Sequence, residues 1–273
     1  MKNLLPILLC LSLAPATALA EKRCEHSAGR AVQLDLEGVR TVRVETGQHL
    51  VRLTASASGQ HRIDGRACAS SAALLDELEL VQQRQGDTLV VSARGPAPRL
   101  NLTGRSHGWM ELSGTVPDDV LVQLVVGSGD AFLDGGAAAS VDVGSGDARL
   151  RGIRGAVTAK VGSGDIEVAG AGALKVLSIG SGDVEARDIG GDVEVGSIGS
   201  GDFELEGARG DVGIGSIGSG DASLARVGGT VRVGSVGSGD LEVRGAAALK
   251  VDSVGSGDVR HRDVPRVDVP RRD

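Results

Sequence analysis

A four-residue unit, Gly-Ser-Gly-Asp, occurs eight times between residues 127 and 258, and it limits what this chain can fold into. Successive aspartates lie 17, 18, 18, 19, 19, 19 and 18 residues apart. They are Asp130, Asp147, Asp165, Asp183, Asp202, Asp221, Asp240 and Asp258. A fixed period of this length is typical of proteins built from stacked repeats. The sequence therefore predicts a repeat architecture over residues 106–262.

The residues that follow each aspartate alternate in polarity. In one repeat, Ile166 and Val168 are apolar and Glu167 between them is charged, and most other repeats follow this pattern. A period of two is that of a β-strand with one buried face. Coils stacked at ~4.8 Å pair strand to strand and bury an aliphatic column that no single coil could bury alone. The predicted fold is all-β, a short β-solenoid of 17–19-residue coils preceded by a small β-rich domain.

The ends of the repeats predict two further features. The residue four before each aspartate is always Val or Ile, but in later coils the alternation breaks at Gly-Ser pairs such as Gly196-Ser197 and Gly215-Ser216. One extra residue there predicts a bulge in the strand before the corner. His261 fills the last apolar position, and the polar segment 263–273 that follows is predicted to cap an exposed sheet edge.

The N-terminal part has a different pattern. Residues 1–20 are predicted to be a signal peptide, because they contain Lys2, an apolar stretch and a small-residue cleavage site before Glu21. The protein is therefore predicted to be exported to the periplasm or cell surface. Residues 21–105 are irregular and β-rich, with one short helix predicted over 69–76. The mature chain keeps Cys24 and Cys68, a pair that favours a disulfide in an exported protein, with two free thiols as the alternative.

The aspartate row and the neighbouring charges allow two interpretations each. Eight stacked carboxylates repel one another, so each side chain is expected to accept backbone N–H groups in its own corner, in an Asx-type turn. The alternative is bound calcium, for which the same eight aspartates would be the ligands. The exposed row Glu167, Glu185, Glu204 and Glu242 is expected to be a solvated strand face, partly neutralised by Arg187 and Arg244. Its alternative is a docking surface for a cationic partner.

Several classes of function do not fit the sequence. The formal charge is -7 with acids and bases interspersed, which argues against nucleic acid as a partner. No transmembrane segment is predicted in the mature chain, and neither a catalytic constellation nor a metal-binding histidine spacing is present. Only three aromatic residues occur, and of these Trp109, with its neighbour Met110, is expected to plug the first end of the core.

The serial units between Gly127 and Val259, with the entry strand from Val116 to Val126, carry a resemblance to a known family. The chain resembles exported bacterial β-strand-repeat proteins of unknown function, which are related to adhesin-like proteins with an autotransporter-head-like domain. The resemblance covers about half of the chain. It implies a binding or structural role in the periplasm or at the surface, and it supplies no catalytic residues.

These observations together predict a non-enzymatic protein of the cell envelope that serves as an adhesin or a binding scaffold for an envelope or surface partner. No cofactor is expected for this function. The first alternative is a calcium-binding repeat module that uses the aspartate row. The second is an enzyme that acts on glycans.

Overall fold

The computed structural model describes residues 24–57, 59–95 and 106–270. The predicted signal peptide and its cleavage site lie outside these residues. The described chain is nearly all β, with a β-solenoid of about eight turns preceded by an N-terminal β-rich region. The predicted fold class is therefore confirmed.

The described N-terminal region consists of short strands and one helix. Its elements are β1 (His26–Gln33), β2 (Thr41–Gly47), β3 (Leu50–Ser56), β4 (Arg62–Ala69), α1 (Ala72–Asp76), β5 (Glu79–Gln85) and β6 (Thr88–Arg94). The helix begins later than predicted because Ala69 still belongs to β4 and Ser71 is the N-cap, whose side chain accepts a hydrogen bond from the Leu74 N–H. β5 and β6 form an antiparallel hairpin.

The solenoid has short strands and four long ones, β11, β12, β17 and β18, each of which continues through a bend. They are β7 (Gly108–Pro117), β8 (Leu121–Val126), β9 (Asp130–Asp134), β10 (Ala138–Val143), β11 (Asp147–Val161), β12 (Asp165–Ile179), β13 (Val184–Ile189), β14 (Val193–Ile198), β15 (Phe203–Ala208), β16 (Val212–Ile217), β17 (Ala222–Val236), β18 (Leu241–Val254), β19 (Val259–Arg262) and β20 (Val267–Asp268). Each coil has one strand segment before the Gly-Ser-Gly-Asp corner and one after it.

Equivalent strands of successive coils pair in parallel and in register. Asp147 lies opposite Asp130 on one side and Asp165 on the other, so the corners stack directly. Inside, the first and third residues after the aspartates form the predicted aliphatic column, with Phe203 as its largest member at 1% exposure. The column ends where His261 is exposed. Beyond it, β20 pairs with β18, and two valines of the polar C-terminal segment pack against the core.

The N-terminal region continues the same stack. β2 and β3 form a coil that pairs in parallel with β8 and β9 on one side and with β6 and β7 on the other. Its corner has the sequence Gly47-Gln48-His49-Leu50, in which Gly47 and His49 accept the backbone hydrogen bonds of the Gly-Ser-Gly-Asp corner of the next coil. The antiparallel strands β1 and β4 cover this end of the solenoid through β7. One hydrophobic core therefore runs through both regions.

The predicted extra residue before the corner is present in the later coils. Gly196 and Ser197 separate two buried positions, Val195 and Ile198. The insertion begins one coil earlier than predicted. Val176 and Ile179 of β12, which have two residues between them, pair with Ala159 and Val161 of β11, which have only one. Leu177, which follows the buried Val176, lies on the outer face, where it is 48% exposed.

A second corner repeats five residues after each aspartate, and at every such position the backbone is left-handed. Five of the eight residues are glycines, which adopt a positive φ without steric cost. The exceptions Asp188, Arg226 and Asp263 have φ of 57°, 56° and 57°. Each coil is therefore bent twice, once at Gly-Ser-Gly-Asp and once at this position.

Candidate functional site

The aspartate row is a hydrogen-bonded ladder that connects successive coils. From Asp183 onward, the backbone N–H of each aspartate donates to Oδ1 of the aspartate one coil earlier, at 3.1 Å for Asp183 to Asp165 and 2.8 Å for Asp202 to Asp183. The same bond joins Asp221 to Asp202, Asp240 to Asp221 and Asp258 to Asp240, at 2.8, 2.7 and 2.8 Å. We expected each carboxylate to accept an N–H group of its own corner. In these coils that prediction is wrong, because the carboxylate accepts the N–H of the aspartate in the next coil.

The first corners use a different bond. The N–H groups of Asp130, Asp147 and Asp165 donate to backbone carbonyls of the preceding coil, at 3.1, 3.2 and 3.3 Å. The side-chain ladder therefore begins with the carboxylate of Asp165. A shorter ladder of the same kind lies nine residues after the corner aspartates, where Asp192 Oδ1 accepts the Asp211 N–H at 2.9 Å and Asp211 Oδ1 accepts the Thr230 N–H at 2.8 Å.

Several carboxylates of these ladders also face arginines. Arg260 contacts Asp240 Oδ2 at 2.9 Å and Asp258 Oδ2 at 3.1 Å, and Arg232 contacts Asp211 Oδ2 at 2.8 Å. The hydrogen bond from Arg232, followed by that from Thr230, lowers the pKa of Asp211. In the part of the chain that the structure describes, no three His, Cys, Asp or Glu side chains form a group that could hold a metal ion.

Asp202 offers a test of the ladder. Asp202→Ala removes an acceptor from the Asp221 N–H, and we expect it to destabilise the fold by about 1 kcal/mol. Asp202→Asn keeps an oxygen at that place and is expected to cost less. Urea midpoints of the two variants check this, and equal midpoints for both would contradict a hydrogen-bonding role.

Two glutamates of the exposed row, Glu167 and Glu242, are paired with arginines, among them the predicted Arg187 and Arg244. Glu167 accepts hydrogen bonds from Arg149, at 3.0 Å, and from Arg187. Burial raises the pKa of Glu167, but the guanidinium groups, that of Arg187 above all, lower it by more, so the net shift is downward. Arg244 contacts Glu242 at 2.6 Å. The arginines therefore neutralise this face in part, through surface ion pairs that each contribute little to stability.

A cleft of about 730 Å³ lies at the N-terminal end of the aspartate row, across strands β4, β7, β3 and β9. Its polar lining consists of Gln48, Arg66, Glu111 and Asp130, and its apolar lining includes Leu50 and Trp109. Within the stack, Glu111 and Leu50 occupy the same register position as Asp130. Leu50 thus interrupts the carboxylate row and forms an apolar strip between two acidic groups.

His49 supports the floor of this cleft from inside. It is 1% exposed, and its Nδ1 accepts a hydrogen bond from the Met110 N–H at 3.2 Å. Burial lowers the pKa of His49 to about 4, although the nearby backbone of Arg94 partly opposes the shift. The imidazole is therefore neutral at physiological pH and fixes the position of the strand that carries Trp109 and Glu111.

This shift predicts that stability depends on pH. Between pH 6.5 and about 4 the unfolded chain binds a proton at His49 that the folded chain does not, so stability is present above pH 6.5 and is lost as the pH falls. The expected loss is about 3 kcal/mol. His49→Asn should flatten the profile of urea midpoints in this range, whereas the same change at exposed His26 should not. A wild-type midpoint that stays constant from pH 6.5 to 4 would contradict the assignment.

The predicted disulfide is confirmed and forms one wall of the cleft. Cys24 and Cys68 are bonded, with their Cα atoms 5.4 Å apart. Arg66 Nη2 lies 3.3 Å from Cys24 Sγ, and Arg66 is the cross-strand neighbour of Glu111. The disulfide therefore joins the start of β1 to the strand that carries the cationic side of the cleft.

Comparison with known proteins shows a likeness of fold. The chain resembles a "putative adhesin" from Parabacteroides merdae, with a TM-score of 0.57 and 14% identity over 87% of this chain and 97% of the other. A "putative lipid binding protein" from Parabacteroides distasonis has a TM-score of 0.56 at 14% identity, with the same coverage. A "putative adhesin" from Bacteroides fragilis has a TM-score of 0.50 at 16% identity over 87% and 98%.

The likeness does not extend to sequence. The chain matches no protein-family profile and no curated protein. At 14–16% identity the solved structures establish the β-solenoid-like fold alone. No helix among the described residues is long and apolar enough to cross a membrane.

Proposed function

We propose that this protein is a non-enzymatic binding scaffold of the cell envelope, an adhesin in the broad sense. The observation that carries the proposal is the stack itself. In-register coils share one hydrophobic core and present long, rigid, charged faces. Rigid surfaces of this kind suit binding, because little conformational entropy is lost when a partner docks.

Two further observations support a place outside the cytoplasm. The disulfide between Cys24 and Cys68 is a bond that persists in oxidising compartments. Two of the structural neighbours bear the name of adhesins, and neither name is that of an enzyme. The signal peptide predicted for residues 1–20 agrees with export.

The absence of enzymatic activity is proposed from the arrangement of the polar groups. Glu111 and Asp130 are separated by the strand that carries Leu50. From Asp165 to Asp240, the corner carboxylates accept backbone N–H groups in a regular series. In a regular series the carboxylates have similar surroundings, whereas a catalytic acid and its base need different surroundings that set their pKa values apart.

Retention on defined surfaces tests the proposal. The chain from Glu21 to Asp273 is labelled and applied to plates coated with mucin, collagen or peptidoglycan, with albumin-coated plates as the control. We expect saturable retention on at least one coating, which unlabelled protein competes away. Absence of saturable retention on all three would contradict the proposal, as would release of reducing sugars from mucin or peptidoglycan.

A further inference from the structure

The aromatic residues of this chain are distributed unevenly. Of the three, Phe203 lies in the core at 1% exposure, whereas Phe132 and Trp109 are only half-buried. Both lie near the N-terminal end of the stack, on β9 and β7, which flank β3. The surface aromatic area is therefore concentrated at one end of a molecule that otherwise uses small aliphatic side chains.

Only one of these two rings is open to a ligand. The faces of Phe132 are covered by the guanidinium groups of Arg52 and Arg149, whose Cζ atoms lie 4.9 and 5.4 Å from the ring centroid. Trp109 instead lines the cleft described above. Its Nε1 is buried and has no hydrogen-bond partner within the described ranges, so Trp109 contributes ring carbons rather than a hydrogen-bond donor to the cleft surface.

The polar groups around Trp109 combine donors and acceptors. Arg66 supplies N–H donors on one side, and the carboxylates of Glu111 and Asp130 supply acceptors on either side of Leu50. Glu111 and Asp130 lie two strand spacings apart, which is ~9.6 Å in a regular sheet. An apolar strip between polar groups, next to an aromatic ring, is suited to a ligand with both C–H faces and hydroxyl edges.

We infer that this cleft is a saccharide site that takes a short neutral segment of a glycan chain, with Trp109 as the stacking surface and Arg66, Glu111 and Asp130 as hydrogen-bonding groups. The inference rests on the proposed function and names the ligand class of that scaffold. A hydrocarbon chain fits less well, because two carboxylates and a guanidinium group surround the apolar strip. A simple cation fits less well because Arg66 is the cross-strand neighbour of Glu111.

The single tryptophan makes the test specific to the site. Trp109 is the only source of indole fluorescence in the chain, so any change on titration reports on this cleft. The probes are chitotetraose, cellotetraose and maltotetraose, each titrated to millimolar concentration, with phosphatidylcholine vesicles as a separate arm. We expect a saturable change of intensity or wavelength with at least one of the three saccharides.

Variants of the polar groups decide whether the cleft is responsible. Glu111 and Arg66 are both exposed, so Glu111→Gln and Arg66→Gln should leave the fold unchanged. Each is expected to weaken binding about 10-fold. The matched control Glu204→Gln, a glutamate on a distant coil, should leave the affinity unchanged. No change with any saccharide, a response to vesicles alone, or an affinity that survives both cleft substitutions would overturn the inference.

The outcome is separable from that of the proposed function. If the protein is retained on a coated plate but no saccharide affects Trp109, the scaffold proposal stands and the cleft assignment fails. If saccharides bind in the cleft but no surface retains the protein, the site stands and the adhesive role fails.

Discussion

Replacement of Gly201 by alanine is expected to destabilise the solenoid by at least about 3 kcal/mol. Gly201 is the second glycine of its corner, and a Cβ placed there would lie 1.8 Å from the carbonyl oxygen of Gly182 in the preceding coil. The obstacle is backbone rather than a flexible side chain, so the two coils would have to separate. Because the corners stack in register, the same contact recurs from coil to coil, for example at Gly220, where the distance is also 1.8 Å.

The matched control is Gly213→Ala. Gly213 lies on the outer face of β16, and a Cβ there would meet no atom within 4 Å. Alanine should be neutral or stabilise by about 0.5–1 kcal/mol, since it reduces the entropy of the unfolded chain. Urea midpoints of both variants check the pair. Equal midpoints would contradict the claim that close coil-to-coil approach at the corner requires glycine.

The second large effect concerns the disulfide. The bond joins residues 44 positions apart, and closing a loop of this length contributes about 4 kcal/mol in the chain-entropy model. In the fold, the bond fastens β1 to β4, its antiparallel partner at the capped end. We expect the double variant Cys24→Ser with Cys68→Ser to unfold at a markedly lower urea concentration.

Reduction of the wild-type protein is the control for that variant. A reducing agent should lower the wild-type midpoint to that of the double variant and leave the variant itself unchanged. Limited proteolysis should then cleave first within β1, because among the described strands it pairs with β4 and no other. A midpoint that is insensitive to reduction would show that this end of the solenoid does not depend on the bond.

The solenoid could be predicted because its signal is local and repeated. Each Gly-Ser-Gly-Asp corner precedes the same apolar alternation, and the buried positions of β13 and β15 are those that the alternation predicts. The left-handed second corner is also visible in the sequence, as Gly135, Gly152 and Gly170, but Asp188 and Arg226 interrupt the series. A non-glycine residue at positive φ leaves no clear mark in the sequence.

The N-terminal coil could not be recognised in this way. Gln48, His49 and Leu50 replace Ser-Gly-Asp, so the corner motif is lost. The coil of residues 41–56 also lies between strands from 88–117 and 121–134, and such long-range pairing has no local signature.

The cleft could not be predicted either, because it too depends on long-range strand pairing. Its lining residues come from four separate strands, and the buried polar group beneath it, His49, belongs to the unrecognised corner. Met110 is in the core, as predicted, at 1% exposure. Trp109, which was expected to plug the core beside it, is only half-buried and faces the cleft because the alternation of β7 places the two residues on opposite sides.

The aspartates join the coils through backbone hydrogen bonds, and we expect the scaffold to need no metal. Thermal unfolding of the chain from Glu21 to Asp273, in excess calcium and in excess chelator, tests this expectation most directly. A folded-state ligand at 100 times its Kd adds about 2.7 kcal/mol, which would raise the Tm by about 5 °C or more. We expect the two melting curves to coincide. A clear upward shift in calcium that Asp202→Asn reduces would contradict it and make the aspartate row a calcium site.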